Sequence, residues 1–366
     1  MIIVIEMNLK EAKFLVFRED KPGALPVAFI KDAEEITTSK TLKRDILNLA
    51  GKGKITAISL RILFGGEFFD KATVINRDFF DKFAQLTDFF PFYIPLITSM
   101  LKVFYRDFAE VPQIAFFETA FFSKLPEEEK YYAIPHELYK NNRIKKWGFH
   151  GIFHEFNYAM FSQAEKCISI VLDKQTTVCS MKDGMPFSIS LGFTPLEGVM
   201  SRTSCGELDP GIVFYLMNVH GFSIYKIDDI LKNESGFFGL TGYDLELKEL
   251  IKFYGKDPKV DLAFDIYQAQ LLKCIGEGIA FLGGVDNIIF SGSESCAFIP
   301  IIYSLVKKIS FLGINTRCLP WVDKKEFFLI TSKESKVNVY LNRMSLPAVI
   351  FYETTNLLDK VFCLKP

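Results

Sequence analysis

The chain has 366 residues, long enough for two domains of ordinary size, each with its own core. Lys and Arg total 43 against 44 Asp and Glu, a formal net charge of -1, so no global field favours nucleic acid or an anionic membrane. A hydrophobic fraction of 49%, with 38 Phe, excludes a disordered chain.

Two β-rich runs, 2–6 and 13–17, lie close enough to pair as a hairpin, with 7–12 as its turn. Apolar spacing at Leu42, Ile46 and Leu49 predicts a helix over 40–49. A strand over 55–63 ends at Gly65 and Gly66. Arg61 is a charge inside that apolar run, and it asks for a partner or a ligand. A helix is predicted over 78–86. The run 89–105 is the most apolar long stretch, but Pro91, Pro95 and Lys102 interrupt it, and it falls short of a membrane span. The strand 113–117 leads to Glu118; acids just past strand ends line ligand clefts in α/β folds.

The charged segments 125–129 and 140–146 read as surface. Trp147-Gly-Phe-His-Gly-Ile-Phe-His154 then leads into a helix. His150 and His154 are four apart, on one helix face, but with no third ligand in view no metal site is expected. Runs 167–172 and 176–181 form a second hairpin turned by Asp173, Lys174 and Gln175, and Lys182-Asp183-Gly184 follows as a turn signal. Two hairpin-led halves therefore begin at residue 1 and near residue 167. The stretch 188–211 is dense in special-backbone residues, among them Gly192, Pro195 and Gly198. It reads either as the wall of a site or as a structural crossover. Glu207, Asp209 and Pro210 are predicted to open an amphipathic helix carrying Ile212, Val213 and Leu216.

Further on, Leu272, Ile275, Ile279 and Leu282 mark a helix face stopped by Gly283. A buried-type strand over 287–291 runs into Gly292. A helix over 301–309, a strand over 337–341 and a last helix over 347–358 complete an α/β alternation. Seven cysteines, at 167, 179, 205, 274, 296, 318 and 363, form no C-x-x-C pair and read as reduced, buried thiols. Glu6 and the lack of a basic leader argue against a secretory signal, so the expected location is cytoplasmic.

Several of these segments resemble the acetate kinase family in order and spacing. They are Arg61-Ile-Leu-Phe-Gly-Gly-Glu67, Phe117-Glu-Thr-Ala-Phe121, Tyr132-Ala-Ile-Pro-His-Glu-Leu138, the 147–154 motif, Leu191-Gly-Phe-Thr-Pro-Leu-Glu-Gly198, Gly206-Glu-Leu-Asp-Pro-Gly211 and Ser235-Gly-Phe-Phe-Gly-Leu-Thr-Gly242. The resemblance implies the actin-like ATPase superfamily: an α/β chain of two actin-like (ribonuclease H-like) domains with a cleft between them. It implies domains at 1–122 plus about 344–366, and at 123–343, the second carrying a homodimer surface. It also implies phosphate transfer between ATP and acetate with Mg²⁺.

The resemblance further implies which positions are altered. The family's first phosphate turn, Asn-Ala-Gly-Ser-Ser-Ser, is here Glu6-Met-Asn-Leu-Lys-Glu11, with Glu6 in the asparagine's place. Its second, His-Leu-Gly-Asn-Gly, is Val171-Leu-Asp-Lys-Gln175, so Asp173 and Lys174 replace glycine and asparagine. Ser204 takes the place of the transition-state arginine, and Arg202 is the candidate substitute. On the nucleotide side, Asp244-Leu-Glu246 stands for Asp-x-Arg, Ser291-Gly-Ser-Glu-Ser295 for Gly-Ile-Gly-Glu-Asn, and Asn342-Arg-Met-Ser345 for Thr-Asn-Glu-Glu. The acceptor side is kept: Arg61 matches the substrate arginine, Glu118 replaces the catalytic aspartate with one more methylene, and His150 matches the histidine near the transferred phosphate. Leu63, Phe149 and Pro195 match or conservatively replace the methyl-pocket walls. A purely structural reading instead puts Phe149 and Pro195 in the core and pairs Arg61 with Glu118. The leading expectation is a homologue with little or no kinase activity, retained to bind a small carboxylate or phosphate-bearing ligand, or to regulate. The alternatives are an active carboxylate kinase with a rebuilt site, using ATP and Mg²⁺, and a structural partner of a true acetate kinase. No nucleic-acid or membrane partner is expected.

Overall fold

Strands rich in Ile, Val and Phe and buried along nearly their whole length form the middle of two sheets, as expected where helices cover a sheet. The computed structural model describes residues 1–18, 26–38, 41–51, 53–161, 165–317 and 326–362, without the side chains of 361–362. The chain divides into two compact units, Met1–Ser123 with Ser345–Pro366, and Lys124–Met344.

The first unit holds β1 (Ile2–Met7), β2 (Glu11–Phe17), β3 (Val27–Asp32), β4 (Ala57–Ile62), β5 (Thr73–Val74) and β6 (Gln113–Phe117). Their order is β3-β2-β1-β4-β6-β5, with β1, β4 and β6 mutually parallel. The register sets Glu6 of β1 beside Arg61 of β4. The helix Leu346–Phe362 packs on β1 and β4, and Phe351 stacks on Phe17 at 4.9 Å.

The second unit holds β7 (Lys166–Val171), β8 (Thr177–Lys182), β9 (Met185–Ile189), β10 (Asn287–Ser291), β11 (Phe327–Leu329) and β12 (Asn338–Asn342). Their order is β11-β12-β10-β7-β8-β9. The helix Pro258–Leu282 packs across β7, β8 and β9 and buries Phe264, Tyr267, Leu271 and Ile275. Asp257 caps its start by accepting from the Lys259 N–H, and Gly283, at φ 63°, ends it. Both sheets share one plan: three antiparallel strands from the hairpin, then two parallel strands on the far side of the first. The third antiparallel strands, β3 and β9, are not predicted from the sequence. β3 is mostly exposed and lacks an apolar face, and Pro186 masks β9, which is tolerable because β9 is an edge.

Several expectations need correction. The first hairpin turn is only residues 8–10, because Asn8 Oδ1 closes it by accepting from the N–H groups of Lys10 (2.7 Å) and Glu11 (3.0 Å). The run 89–105 supplies the helix Tyr93–Asp107, and the helix expected over 40–49 is seen as Leu42–Ala50, residue 40 lying outside the described residues. The segments 125–129 and 140–146 are not all surface. Glu129 is buried and accepts from Lys146 Nζ at 3.0 Å, and Lys145 Nζ lies 4.4 Å from the Trp147 ring centroid. Helix Gly211–His220 forms where Asp209 and Pro210 place it, but it is apolar nearly all round and has no buried residue. Cys167 and Cys179 are buried, whereas Cys296 is exposed; Cys318 and Cys363 lie outside the described residues. Among the described residues no helix is long and apolar enough to cross a membrane.

Candidate functional site

In the first unit, Arg61 lies on central strand β4 between Glu6 of β1 and Glu118, which follows β6. Its Nε donates to Glu118 Oε1 at 2.5 Å, and its Nη1 is 3.6 Å from Glu6 Oε1. Glu118 follows β6 directly and is anchored by its N–H to the Ile62 carbonyl at 3.0 Å. Its side chain is fully buried, and Oε2 has no hydrogen-bond partner among the described residues. Leu63, two residues beyond Arg61, is held by its N–H to the Tyr93 hydroxyl at 2.9 Å. Burial pushes the Tyr93 phenol up to about 12, so it stays a neutral strut.

In the second unit, His150 caps the helix Gly151–Met160 with φ 61°, a left-handed conformation that costs a β-carbon residue roughly 1–2 kcal/mol. Its Nδ1 is 3.0 Å from Thr177 Oγ1. His154, one turn later, reaches the same hydroxyl through Nε2 at 2.9 Å and Ser169 Oγ through Nδ1 at 2.8 Å. Burial, then the neighbouring His150, holds the His154 pKa well below its ordinary value, so the ring is neutral. The two histidines thus converge on a threonine. Phe149 beside them is buried.

The second hairpin tip borders a cavity of about 400 Å³ within this unit. Lys174, Pro195, Arg202 and Ser204 all line it, with Lys232, Glu246 and Glu294. His150 and Phe149 are not among its lining residues. Arg202 Nη1 donates to Asp244 Oδ1 at 2.5 Å, while Ser204 Oγ pairs with Ser201 Oγ at 2.7 Å. Gln175 Nε2 donates to the Pro195 carbonyl at 2.7 Å, tying the hairpin tip to the 188–211 loop. Glu294 is nine-tenths buried with Oε2 unpartnered among the described residues; burial, then Asp173 and Glu246, raise its pKa.

Both hairpin tips are closed by their own side chains. Backbone N–H groups in such turns cradle phosphate only when they are left open. Here Asn8 takes the N–H groups of Lys10 and Glu11 in the first tip. Asp173 Oδ1 takes the Lys174 N–H at 2.8 Å in the second, and accepts from Ser293 Oγ at 2.7 Å. In both tips, backbone N–H groups are thus already engaged by the tip's own side chains. Among the described residues no group of three or more His, Cys, Asp or Glu side chains is placed to hold a metal ion.

The acetokinase family profile matches residues 3–350. The chain belongs to the acetokinase family. Acetate kinase from Sulfurimonas denitrificans is 31% identical over 294 residues, covering 78% of this chain and 74% of that protein. Acetate kinase from Caldicellulosiruptor saccharolyticus is 29% identical, covering 84% of this chain and 79% of that protein. Among solved structures, acetate kinase from Porphyromonas gingivalis superposes with a TM-score of 0.85 at 22% identity, covering 98% of this chain and 99% of that one. The Entamoeba histolytica enzyme gives 0.83 at 23% identity, covering 97% and 98%. At these identities the superpositions speak to fold: α/β, with two actin-like domains.

Beside this acetokinase frame, sequence reasoning missed Thr177, Ser169 and Asn157, which are fully buried hydroxyl and amide groups around the two histidines. Ordinary polar residues inside strands and helices carry no motif. It also missed the Tyr132 hydroxyl, which bonds to the Glu197 carboxylate and accepts the Phe193 N–H at 2.8 Å, and so shapes the 188–198 turn.

Proposed function

We propose that this acetokinase-family chain has little or no kinase activity and is retained as a binding or regulatory protein for a small carboxylate or phosphate-bearing ligand. The observation that carries the reading is the closure of both hairpin tips by their own side chains, Asn8 and Asp173. Glu6 and Asp173 add negative charge where phosphates would arrive. At the resemblance-matched positions, Ser204 is tied to Ser201 and Arg202 to Asp244. A transition-state arginine is worth roughly 10³–10⁵ in rate, about 4–7 kcal/mol. A neighbour seldom restores that, because the required geometry is tight. On the acceptor side, Glu118, His150, Arg61, Leu63, Phe149 and Pro195 carry the residual binding role in this reading. A ligand carboxylate reaches Arg61 by displacing Glu6, whose contact is the longer one.

The alternative is an active carboxylate kinase with a rebuilt phosphate site using ATP and Mg²⁺. It is favoured by one observation: Lys174, Lys232 and Arg202 line the same cavity. Acetyl phosphate formation from ATP and acetate by the purified chain separates the two. The leading reading expects turnover at least about 1,000-fold slower than that of an ordinary enzyme, the loss that a missing transition-state arginine alone would cause. It also expects no rise in melting temperature with excess ATP–Mg²⁺, where true binding at 100-fold excess over Kd adds about 2.7 kcal/mol. Turnover at ordinary rates overturns it.

The assembly we propose is a homodimer through the second unit, supported by the exposed apolar face of helix Gly211–His220. A structural partnership with a true acetate kinase would use the same face. The unpaired thiols among the described residues support a reducing, cytoplasmic setting.

A further inference from the structure

A buried line of hydrogen bonds in the second unit runs from a backbone amide to His150, and its donors and acceptors follow from the fixed end. The Met344 N–H only donates, and it reaches Asn342 Oδ1 at 2.9 Å. That orients the Asn342 amide, so its Nδ2 donates to Asn157 Oδ1 at 2.8 Å. Asn157 is then oriented too, and its Nδ2 donates to Ser169 Oγ and Ser291 Oγ, each at 2.9 Å. Ser291 passes its own hydrogen to the Ile170 carbonyl at 3.4 Å.

Ser169 accepts from Asn157, so its hydroxyl hydrogen needs an acceptor. The other partner of Ser169 Oγ among the described residues is His154 Nδ1, at 2.8 Å. Ser169 is fully buried, so a proton on His154 Nδ1 would strand that hydrogen without an acceptor, a penalised arrangement. His154 Nδ1 therefore accepts. The ring is fully buried and neutral, so its proton is on Nε2, which donates to Thr177 Oγ1 at 2.9 Å. Thr177 then gives its hydrogen to His150 Nδ1 at 3.0 Å.

We infer that Asn342, Asn157, Ser169, His154 and Thr177 form a tautomer relay, a set of positioning residues that holds His150 as a neutral imidazole with its proton on Nε2. The protonated nitrogen of a histidine is set by the bond its other nitrogen makes. Here that bond is dictated by a backbone amide near the end of the second unit. An imidazolium at His150 needs a proton on Nδ1, which turns the Thr177 hydroxyl away and breaks a buried link. The relay thus delivers a hydrogen-bond donor without a full positive charge, the form suited to an oxyanion. That use toward a carboxylate or phosphate oxygen rests on the binding reading above; the tautomer does not.

The test is long-range ¹H–¹⁵N correlation on the ligand-free full chain, ¹⁵N-labelled at its 4 histidines, at neutral pH. His136→Gln and His220→Gln remove the two exposed rings. Both remaining rings are expected to show a protonated Nε2 and a bare Nδ1. Thr177→Val, close in shape but without the hydroxyl, is expected to turn the single His150 tautomer into a mixture, and Thr177→Ser to restore it. A proton on His150 Nδ1 in the unsubstituted chain overturns the relay, as does a His150 signature indifferent to Thr177→Val. Should Thr177→Val fail to fold, Ser169→Ala reads the same relay one link back, by releasing His154 from its single tautomer; an unchanged His154 overturns the relay. Inorganic phosphate is then titrated in. With the tautomer intact, an unmoved His150 Nε2 resonance counts against the ligand-binding reading and not against the relay.

Discussion

Arg61 answers the demand its position creates. A guanidinium among apolar strand neighbours needs negative partners, and it has one fully buried and one half-buried carboxylate. That need is legible in the sequence, as is the pairing with Glu118. The part played by Glu6 is not, because it depends on the β1–β4 register. The same holds for His154, whose bonds to two hydroxyl groups carry no sequence signal. Its burial has a measurable consequence. The His154 pKa lies well below the ordinary 6.5 in the native state. Below about pH 6.5 the unfolded chain binds a proton that the native chain refuses. Stability present above that pH is therefore lost as pH falls, by about 1.4 kcal/mol per unit until the folded pKa is reached. Between about pH 6.5 and 5, the wild-type melting temperature is expected to fall more steeply than that of His154→Gln. Parallel curves would show that His154 titrates alike in both states.

At the level of elements, the hairpins and the parallel strands behind them are readable because β-branched and aromatic runs alternate with turn residues. β3 and β9 are not, since edge strands need no apolar periodicity. The junction that holds the second hairpin in place is a glycine. Gly292 follows β10 at φ 98°, and a Cβ there would lie 2.3 Å from the Leu172 carbonyl oxygen. That carbonyl accepts the Glu294 N–H at 2.9 Å, and the Leu172 N–H donates to the Ser291 carbonyl at 2.8 Å. The hairpin tip and the strand-end loop are thus laced together by backbone hydrogen bonds, a closeness only glycine permits. Gly292→Ala is expected to destabilise by about 3 kcal/mol, combining backbone strain with displacement of that lacing. Gly255→Ala is the control: φ is 79° but a Cβ meets nothing within 4 Å, so about 1 kcal/mol is expected. Urea unfolding of the two variants gives the comparison, and equal losses would deny the lacing its role.

For the whole molecule, the sequence motifs reveal the family but not which apolar helices stay uncovered. A window of Ile, Val, Phe and Leu reads alike whether its own chain or another covers it. Helix Gly211–His220 has no buried residue, with Phe214 63% and Val219 62% exposed. The adjoining helix Ile224–Asn233 adds Tyr225 at 84%. Ring contacts run from Tyr215 through His220 to Phe222, in the connection that follows the first of these helices. Monomers rarely leave a contiguous apolar patch larger than a few hundred Å² in water. A second copy of the chain is the proposed cover, and a net charge of -1 sets no long-range repulsion against it. Sedimentation of the wild type at micromolar concentration is expected to give a dimer. Phe214→Glu with Val219→Glu is expected to give a monomer with unchanged circular dichroism, since neither side chain supports its own core. Each substitution places a carboxylate against its symmetry mate or an apolar surface, which an isologous interface suffers twice. A wild type that stays monomeric at high micromolar concentration would remove the dimer. It would leave the apolar face to a different protein chain, which is what the structural-partner alternative requires.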